Sequence, residues 1–177
     1  MPLVTMEMGL DCALKSAGIS PNIVPEGFSP STLLDIKYPS GEDVALGNFI
    51  KPEDSAQQPT VNFIPDDENS HYTLVLIDPD APTRDDPKMS PYRHWVVCNI
   101  PGSSNFVQAT EISSYMGPAP PPGTGDHRYI YLLYKQPSAG ASAQVLSKNR
   151  GCWAHDAYVK ESKLELVSVN FFISKKD

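Results

Sequence analysis

Two carboxylates and two histidines of this chain stand in settings that could recognise a small polar ligand. Asp78 and Asp80 flank Pro79 at the head of DPDAPTRDDPKMSPYRHW (78–95), His94 lies at its far end, and His127 closes GPAPPPGTGDHRY (117–129). A carboxylate at a strand end can accept from a ligand ammonium or hydroxyl, or hold an imidazole proton and raise that histidine's pKa. Each residue alone has a plainer role. An Asp-x-Asp pair commonly just caps a turn, and a lone histidine on an apolar face is more often structural than ligand-contacting. Two imidazoles behind Pro- and Gly-rich loops shift the balance, because loops held by a rigid sheet are common binding positions. Gly123-Thr-Gly125 also lets bare backbone approach a ligand and turn amides towards an anion. Tyr92 and Tyr129 adjoin the histidines and read as pocket walls, whereas Trp95, Tyr131 and Tyr134 read as core. His71 and His155 lack this setting and read as surface or structural residues.

The charges of the four groups make a prediction. With both histidines neutral, Asp78 and Asp80 leave a pocket negative; with both protonated, the four cancel and backbone amides can favour phosphate. Two unit charges about 4 Å apart interact by roughly 4 kcal/mol at an effective dielectric of 20, enough to decide the matter. Phosphate affinity should then rise as pH falls towards about 6.

The elements that must position these groups are mostly strands. Tyr72–Ile77 is a run of β-branched, aromatic and aliphatic residues too short for a helix, and it delivers Asp78 to its end. Arg93–Ile100 alternates, which puts His94, Val96, Cys98 and Ile100 on one face and Trp95, Val97 and Asn99 on the other. Tyr129–Tyr134 is a second central strand. Thr32–Tyr38, turning at Pro39-Ser-Gly41 and returning over Val44–Leu46, reads as a hairpin; Thr60–Ile64 and Leu166–Ile173 are further strands. Polar residues 108–114 read as a connection. The spacing of Met8, Leu10, Ala13, Leu14 and Ala17 predicts a short helix from Glu7 to Ala17 that Gly18 can end, and a weakly amphipathic helix is expected over Asp156–Ser162. Many strands without βαβ alternation predict a mostly β, mostly antiparallel fold.

The 177 residues suit a single domain, with a helix and extended segment over 1–30 and a β core with pocket loops over 31–177. Apolar residues make up 40% and charged ones 20%, which predicts a soluble globular protein without an integral membrane segment. A net charge of -7 argues against nucleic acid as a partner, since that binding needs an excess of basic residues. Eighteen prolines, clustered without a repeat, stiffen the long loops. The N-terminal residues do not read as a signal peptide, and three scattered cysteines without a CxxC read as reduced thiols of a cytoplasmic protein.

As a set, DPDAPTRDDP, RHWVVCNIPG and GPAPPPGTGDHRYIYLLYKQP resemble the two signature regions of the phosphatidylethanolamine-binding protein family, most strongly from Tyr72 to Pro137. YMGPAPPPGTG is most similar to fungal members of its carboxypeptidase-inhibitor branch. The resemblance implies a central antiparallel β-sheet, a second small sheet, short peripheral helices and an anion pocket at one end. Matched by motif, its ligand-binding residues would be Asp78, Asp80, Tyr92, His94, Gly117, Ala119, Pro120, Pro121, His127 and Tyr129, with no catalytic residue, metal or cofactor. It further implies cis peptides at Ala81–Pro82 and Ser90–Pro91. Two positions depart from the pattern: Pro91-Tyr92 replaces an acid followed by Trp, and Ala119 stands where Gly is frequent. NFFISKKD shows no counterpart of the C-terminal helix that shapes the pocket mouth in animal relatives.

The function so implied is a noncatalytic regulator that binds phosphate or a phosphorylated lipid head group and a protein partner, in its most specific form as a serine carboxypeptidase inhibitor. The N-terminal segment would supply a second contact with that partner. A kinase-signalling scaffold using the same pocket is the alternative. From the residues themselves, two carboxylates and two histidines could also position a water or a divalent metal for hydrolysis. Neither HExxH, a Cys ligand set nor a GxSxG elbow accompanies them, and Ser103 and Ser104 have no base partner in view.

Overall fold

The computed structural model describes residues 3–177, with side chains from Gly9 onward. In chain order the elements are α1 (Leu3–Ser16), β1 (Leu34–Lys37), β2 (Asn48–Phe49), β3 (Thr60–Phe63), β4 (His71–Asp78), β5 (Tyr92–Pro101), β6 (Thr110–Ser113), β7 (His127–Lys135), α2 (His155–Glu161) and β8 (Glu165–Ser174). Six strands form one sheet in the order β2-β8-β7-β4-β5-β6, and β1 with β3 forms a second, two-stranded sheet. Every pairing is antiparallel except the short one between β2 and β8. The mostly β, two-sheet architecture expected from the sequence is therefore what the chain adopts.

The unbroken apolar runs in β4 and β7 follow from burial on both faces. Tyr72, Leu74 and Leu76 of β4, with Tyr129, Tyr131 and Leu133 of β7, face a core completed by Leu34, Ile36, Val61 and Phe63 of the small sheet. Val75 and Ile77, with Ile130, Leu132 and Tyr134, face a second core completed by Leu10 and Leu14 of α1 and Tyr158 of α2. A half-solvated strand would alternate; these have no wet face to alternate with. Asn170 of β8 joins the layers: its amide donates to Leu34 O and Val44 O, and its Oδ1 accepts from Leu46 N–H.

Helix α1 ends as expected, with Gly18 at φ 65°. Met8's place on its apolar face lies outside the described residues. Among the described residues no helix is long and apolar enough to cross a membrane. The Ala81–Pro82 and Ser90–Pro91 peptides are cis, and so is Ser20–Pro21.

Three expectations change. The return over Val44–Leu46 is only an isolated bridge, Lys37 to Asp43, and β1 instead takes β3 as its partner. Residues 110–113 are strand β6, on the sheet's outer edge, where exposure explains the polar composition that hides it. The simple alternation along β5 fails twice. Leu76 pairs with Trp95 and Ile77 with Arg93, so His94 has no opposite number; Tyr72 pairs with Ile100 and Leu74 with Val97, which leaves Cys98 and Asn99 against Thr73. These are β-bulges, and each one moves later side chains to the other face. Ile100 therefore joins Trp95 and Val97 in the first core while Val96 lies in the second.

Candidate functional site

Three strand ends meet at one edge of the large sheet. Strand β4 ends on Asp78, β5 begins with Tyr92 and its bulged His94, and β7 begins with His127 and Tyr129. Together with the 81–89 and 116–121 loops they enclose a cavity of about 190 Å³ lined by Asp78, Ala81, Pro82, Met89, Tyr92, His94, Met116, Ala119, Pro120, Pro121, His127 and Tyr129. Drug-sized pockets run from roughly 300 to 1,000 Å³, so this one suits a head group or a single side chain.

The bulge at His94 is what aims the imidazole. Arg93 turns to the opposite face, its guanidinium over Trp153 and its Nε donating to Ser113 Oγ. His94 then lies on the Tyr129 side, its ring edge-on to Tyr129 at 5.2 Å and tilted against Tyr92 at 5.1 Å. The Met116 backbone grips it on both sides: Met116 N–H donates to His94 O, and His94 Nδ1 lies 2.7 Å from Met116 O. Because a carbonyl only accepts, Nδ1 carries the proton and Nε2 is the other ring nitrogen. Burial pushes this imidazole down, with Arg150 and His127 adding to that and Met116 O and Asp78 opposing it.

Asp78 is held from two directions. Its Oδ1 accepts from Asp80 N–H at 2.7 Å and its Oδ2 lies 2.8 Å from His127 Nδ1. Burial pulls the His127 imidazole down, yet the hydrogen bond and charge of Asp78, with Asp80 and Asp126, outweigh it and raise its pKa. Tyr129 is pushed up by burial and then by Asp78, so its hydroxyl stays protonated.

Eight of the residues expected at the site, Asp78, Tyr92, His94, Ala119, Pro120, Pro121, His127 and Tyr129, are thus brought to one cavity. Asp80 and Gly117 lie behind its wall. Asp80 is 1% exposed and paired side-on with Arg128: Nε donates to Oδ2 at 2.9 Å and Nη2 to Oδ1 at 2.6 Å, and Arg128 N–H also donates to Oδ2. The same guanidinium donates through Nη1 to the carbonyls of Ala17 and Gly18, fastening the end of α1 to the sheet. Gly117 packs on the 55–56 backbone, where a Cβ would come within 2.9 Å of Ala56 Cα. The charge sum made from sequence therefore changes: Arg128 cancels Asp80, and the two histidines shift in opposite directions.

Ala81, Pro82, Met89 and Met116 complete the lining and were not among the ligand-binding residues expected from sequence. Their signal is positional only: Ala81 follows Asp80, Met116 precedes Gly117, and Pro82 and Met89 lie in the loop between Asp80 and Tyr92. Arg150 was also missed; its Nη1 reaches the carbonyls of Arg93, His94 and Ser114 from 56 residues downstream of His94, a relation no local pattern carries. His155 is buried and hydrogen-bonded to the Tyr134 hydroxyl, which fits the structural role expected of it. Among the described residues no group of three or more His, Cys, Asp or Glu is placed to hold a metal ion.

The sequence pattern of phosphatidylethanolamine-binding proteins matches residues 40–172. The chain is 32% identical over an alignment 204 positions long to carboxypeptidase Y inhibitor of Saccharomyces cerevisiae, covering 91% of this chain and 92% of that one. It is 40% identical over 113 residues to CEN-like protein 1 of Nicotiana tabacum, covering 64% of each. Among solved structures, carboxypeptidase Y inhibitor complexed with its cognate proteinase superposes with a TM-score of 0.87 at 31% identity over 96% of both chains. The phosphatidylethanolamine-binding protein of Plasmodium vivax shares the fold, with a TM-score of 0.81 at 22% identity over 94% of this chain and 97% of that one. With its two-sheet architecture, its strand-end cavity and a match over most of its length, the chain belongs to the phosphatidylethanolamine-binding protein family.

Proposed function

We propose that this chain is a noncatalytic regulatory protein that inhibits a serine carboxypeptidase and holds phosphate or a phosphorylated head group in the strand-end cavity. The observation that carries the first part is similarity along almost the whole chain to an inhibitor whose structure is known with its cognate proteinase. Supporting the second part are the small volume of the cavity, the His94 imidazole on its wall and the apolar rim of Met89 and Met116, each 40% exposed. Three free cysteines suit a reducing compartment such as the cytoplasm.

The test is inhibition. Purified chain titrated into yeast carboxypeptidase Y with a chromogenic peptide substrate should abolish hydrolysis near one equivalent. Unchanged hydrolysis at a tenfold excess would remove the inhibitor reading. The second contact is assigned to the residues before Gly9, and its truncation must stop there: Leu10 and Leu14 are core residues, so removing residues 1–18 would strip packing as well as contact. A chain lacking residues 1–8, which shortens α1, should lose affinity for the enzyme by more than its change in thermal midpoint accounts for. Capture of partners with His127→Ala then asks whether protein binding and phosphate binding are lost together.

A further inference from the structure

The two cavity histidines are committed differently, and a hydroxyl decides how. His127 Nε2 lies 2.8 Å from Thr124 Oγ1, and that oxygen lies 2.7 Å from the carbonyl oxygen of Pro121. The carbonyl can only accept, so it takes the single hydroxyl proton of Thr124, and Nε2 must donate to Thr124 Oγ1. On the other side of the ring, Nδ1 faces the Asp78 carboxylate, which also accepts. Both nitrogens of a ring only 1% exposed are therefore donors with partners inside the protein.

We infer that Thr124 is a positioning residue that holds His127 as a doubly donating imidazolium paired with Asp78, which leaves Nε2 of His94 as the ring nitrogen that meets a ligand. This rests on the reading that the cavity binds an anion, and it assigns that reading to a single proton. The charged and titratable groups around His94 are Asp78 at the end of β4, His127 and Tyr129 of β7, Tyr92 and Arg93 of its own strand, and Arg150 on its carbonyl. Asp78 and His127 cancel each other, Arg93 is turned away onto Trp153, and Arg150 is spent on backbone carbonyls. With Nδ1 donating to Met116 O, a neutral His94 offers the cavity only a lone pair, which suits a ligand hydroxyl or ammonium. Adding one proton turns the same atom into a charged donor, and the cavity into an anion site. Burial opposes that proton, in agreement with the lowered pKa of His94.

The experiment uses the full chain with labelled histidines and sulfate as probe, because sulfate stays doubly charged from about pH 5 to about pH 8, so that only the protein titrates. Long-range proton–nitrogen spectra of the free protein near pH 7.5 should show both nitrogens of His127 protonated and His94 protonated on Nδ1 alone. Sulfate affinity by calorimetry should fall about tenfold per pH unit above the His94 titration, the slope of one proton. Thr124→Val should return His127 to a single proton at neutral pH, and Thr124→Ser should restore the doubly protonated ring. If the Val variant does not fold, the wild-type spectra still decide the protonation. A singly protonated His127 in the wild type, a folded Thr124→Val chain whose His127 stays doubly protonated, or sulfate binding independent of pH overturns the inference. Absence of sulfate binding at every pH alongside a His127 that is doubly protonated in the wild type and singly protonated in Thr124→Val removes the anion-site reading and leaves the role of Thr124 standing.

Discussion

Replacing Arg128 with alanine should cost the fold far more than the cavity. The guanidinium is the partner of a carboxylate that is 1% exposed, and it supplies two of the donors to it besides satisfying two carbonyls at the end of α1. Removing one partner of a buried ion pair leaves an unpaired charge in a poor solvent for it, at a cost of about 3 to 5 kcal/mol. In urea, with a slope of about 2 kcal/mol per molar, a loss of about 4 kcal/mol lowers the unfolding midpoint by about 2 M. The double variant Asp80→Leu/Arg128→Met should recover most of this, because it removes both charges. It should remain short of wild type by about 1 kcal/mol for each α1 carbonyl left unpaired and for the Arg128 N–H that loses its Asp80 acceptor. The Arg84 guanidinium already reaches Ala17 O at 3.2 Å, which limits that remainder. Denaturation followed by far-ultraviolet circular dichroism measures all three chains. A loss below about 1 kcal/mol for Arg128→Ala, or a double variant no better than the single one, would refute the reasoning. So would an Asp80→Asn variant of near-normal stability that binds sulfate poorly, since that result would put Asp80 in contact with the ligand.

Two other perturbations test the wall and the second core. Burial pushes the His155 imidazole down against a smaller opposing pull from Asp156, so the folded state takes up a proton less readily than the unfolded chain, whose histidine titrates near about 6.5. Its contribution to stability is complete above that value and is lost as pH falls through the lower folded one; His94 acts with the same sign. The raised His127 acts with the opposite sign, complete below about 6.5 and lost as pH rises through its folded value. His155→Gln should therefore flatten the fall of thermal midpoint between about pH 7 and about pH 5; an unaltered slope would show that His155 does not drive it. Gly117→Ala sets a methyl against backbone at Ala56 and Ser55, within 2.9 to 3.0 Å, so the 116–119 segment must move. A cost of about 1 to 3 kcal/mol is expected, with weaker sulfate binding because Met116 and Ala119 move with it. Unchanged sulfate affinity would show that the wall does not depend on this contact.

Local pattern was enough to locate β4, β7 and β8, because long runs of Val, Ile, Leu and Tyr bounded by turn residues have few other solutions. The proline-rich motifs likewise marked both loops and eight residues of the cavity. Periodicity could not show the bulge that frees His94, since an extra residue in a strand leaves no mark in composition and is defined only by its partner. Nor could it choose a partner for Asp80. Seen along the chain, Asp78 and Asp80 are equivalent members of one motif. In three dimensions, Arg128, itself beside His127 in sequence, takes Asp80 for the wall while His127 takes Asp78 for the cavity. The sequence determined which groups are near the site, because motif and strand order bring them there. Which of them face a ligand and which are spent on each other was decided by the tertiary structure, since hydrogen bonds across strands 48 residues apart depend on distances of tenths of an ångström that no local pattern encodes.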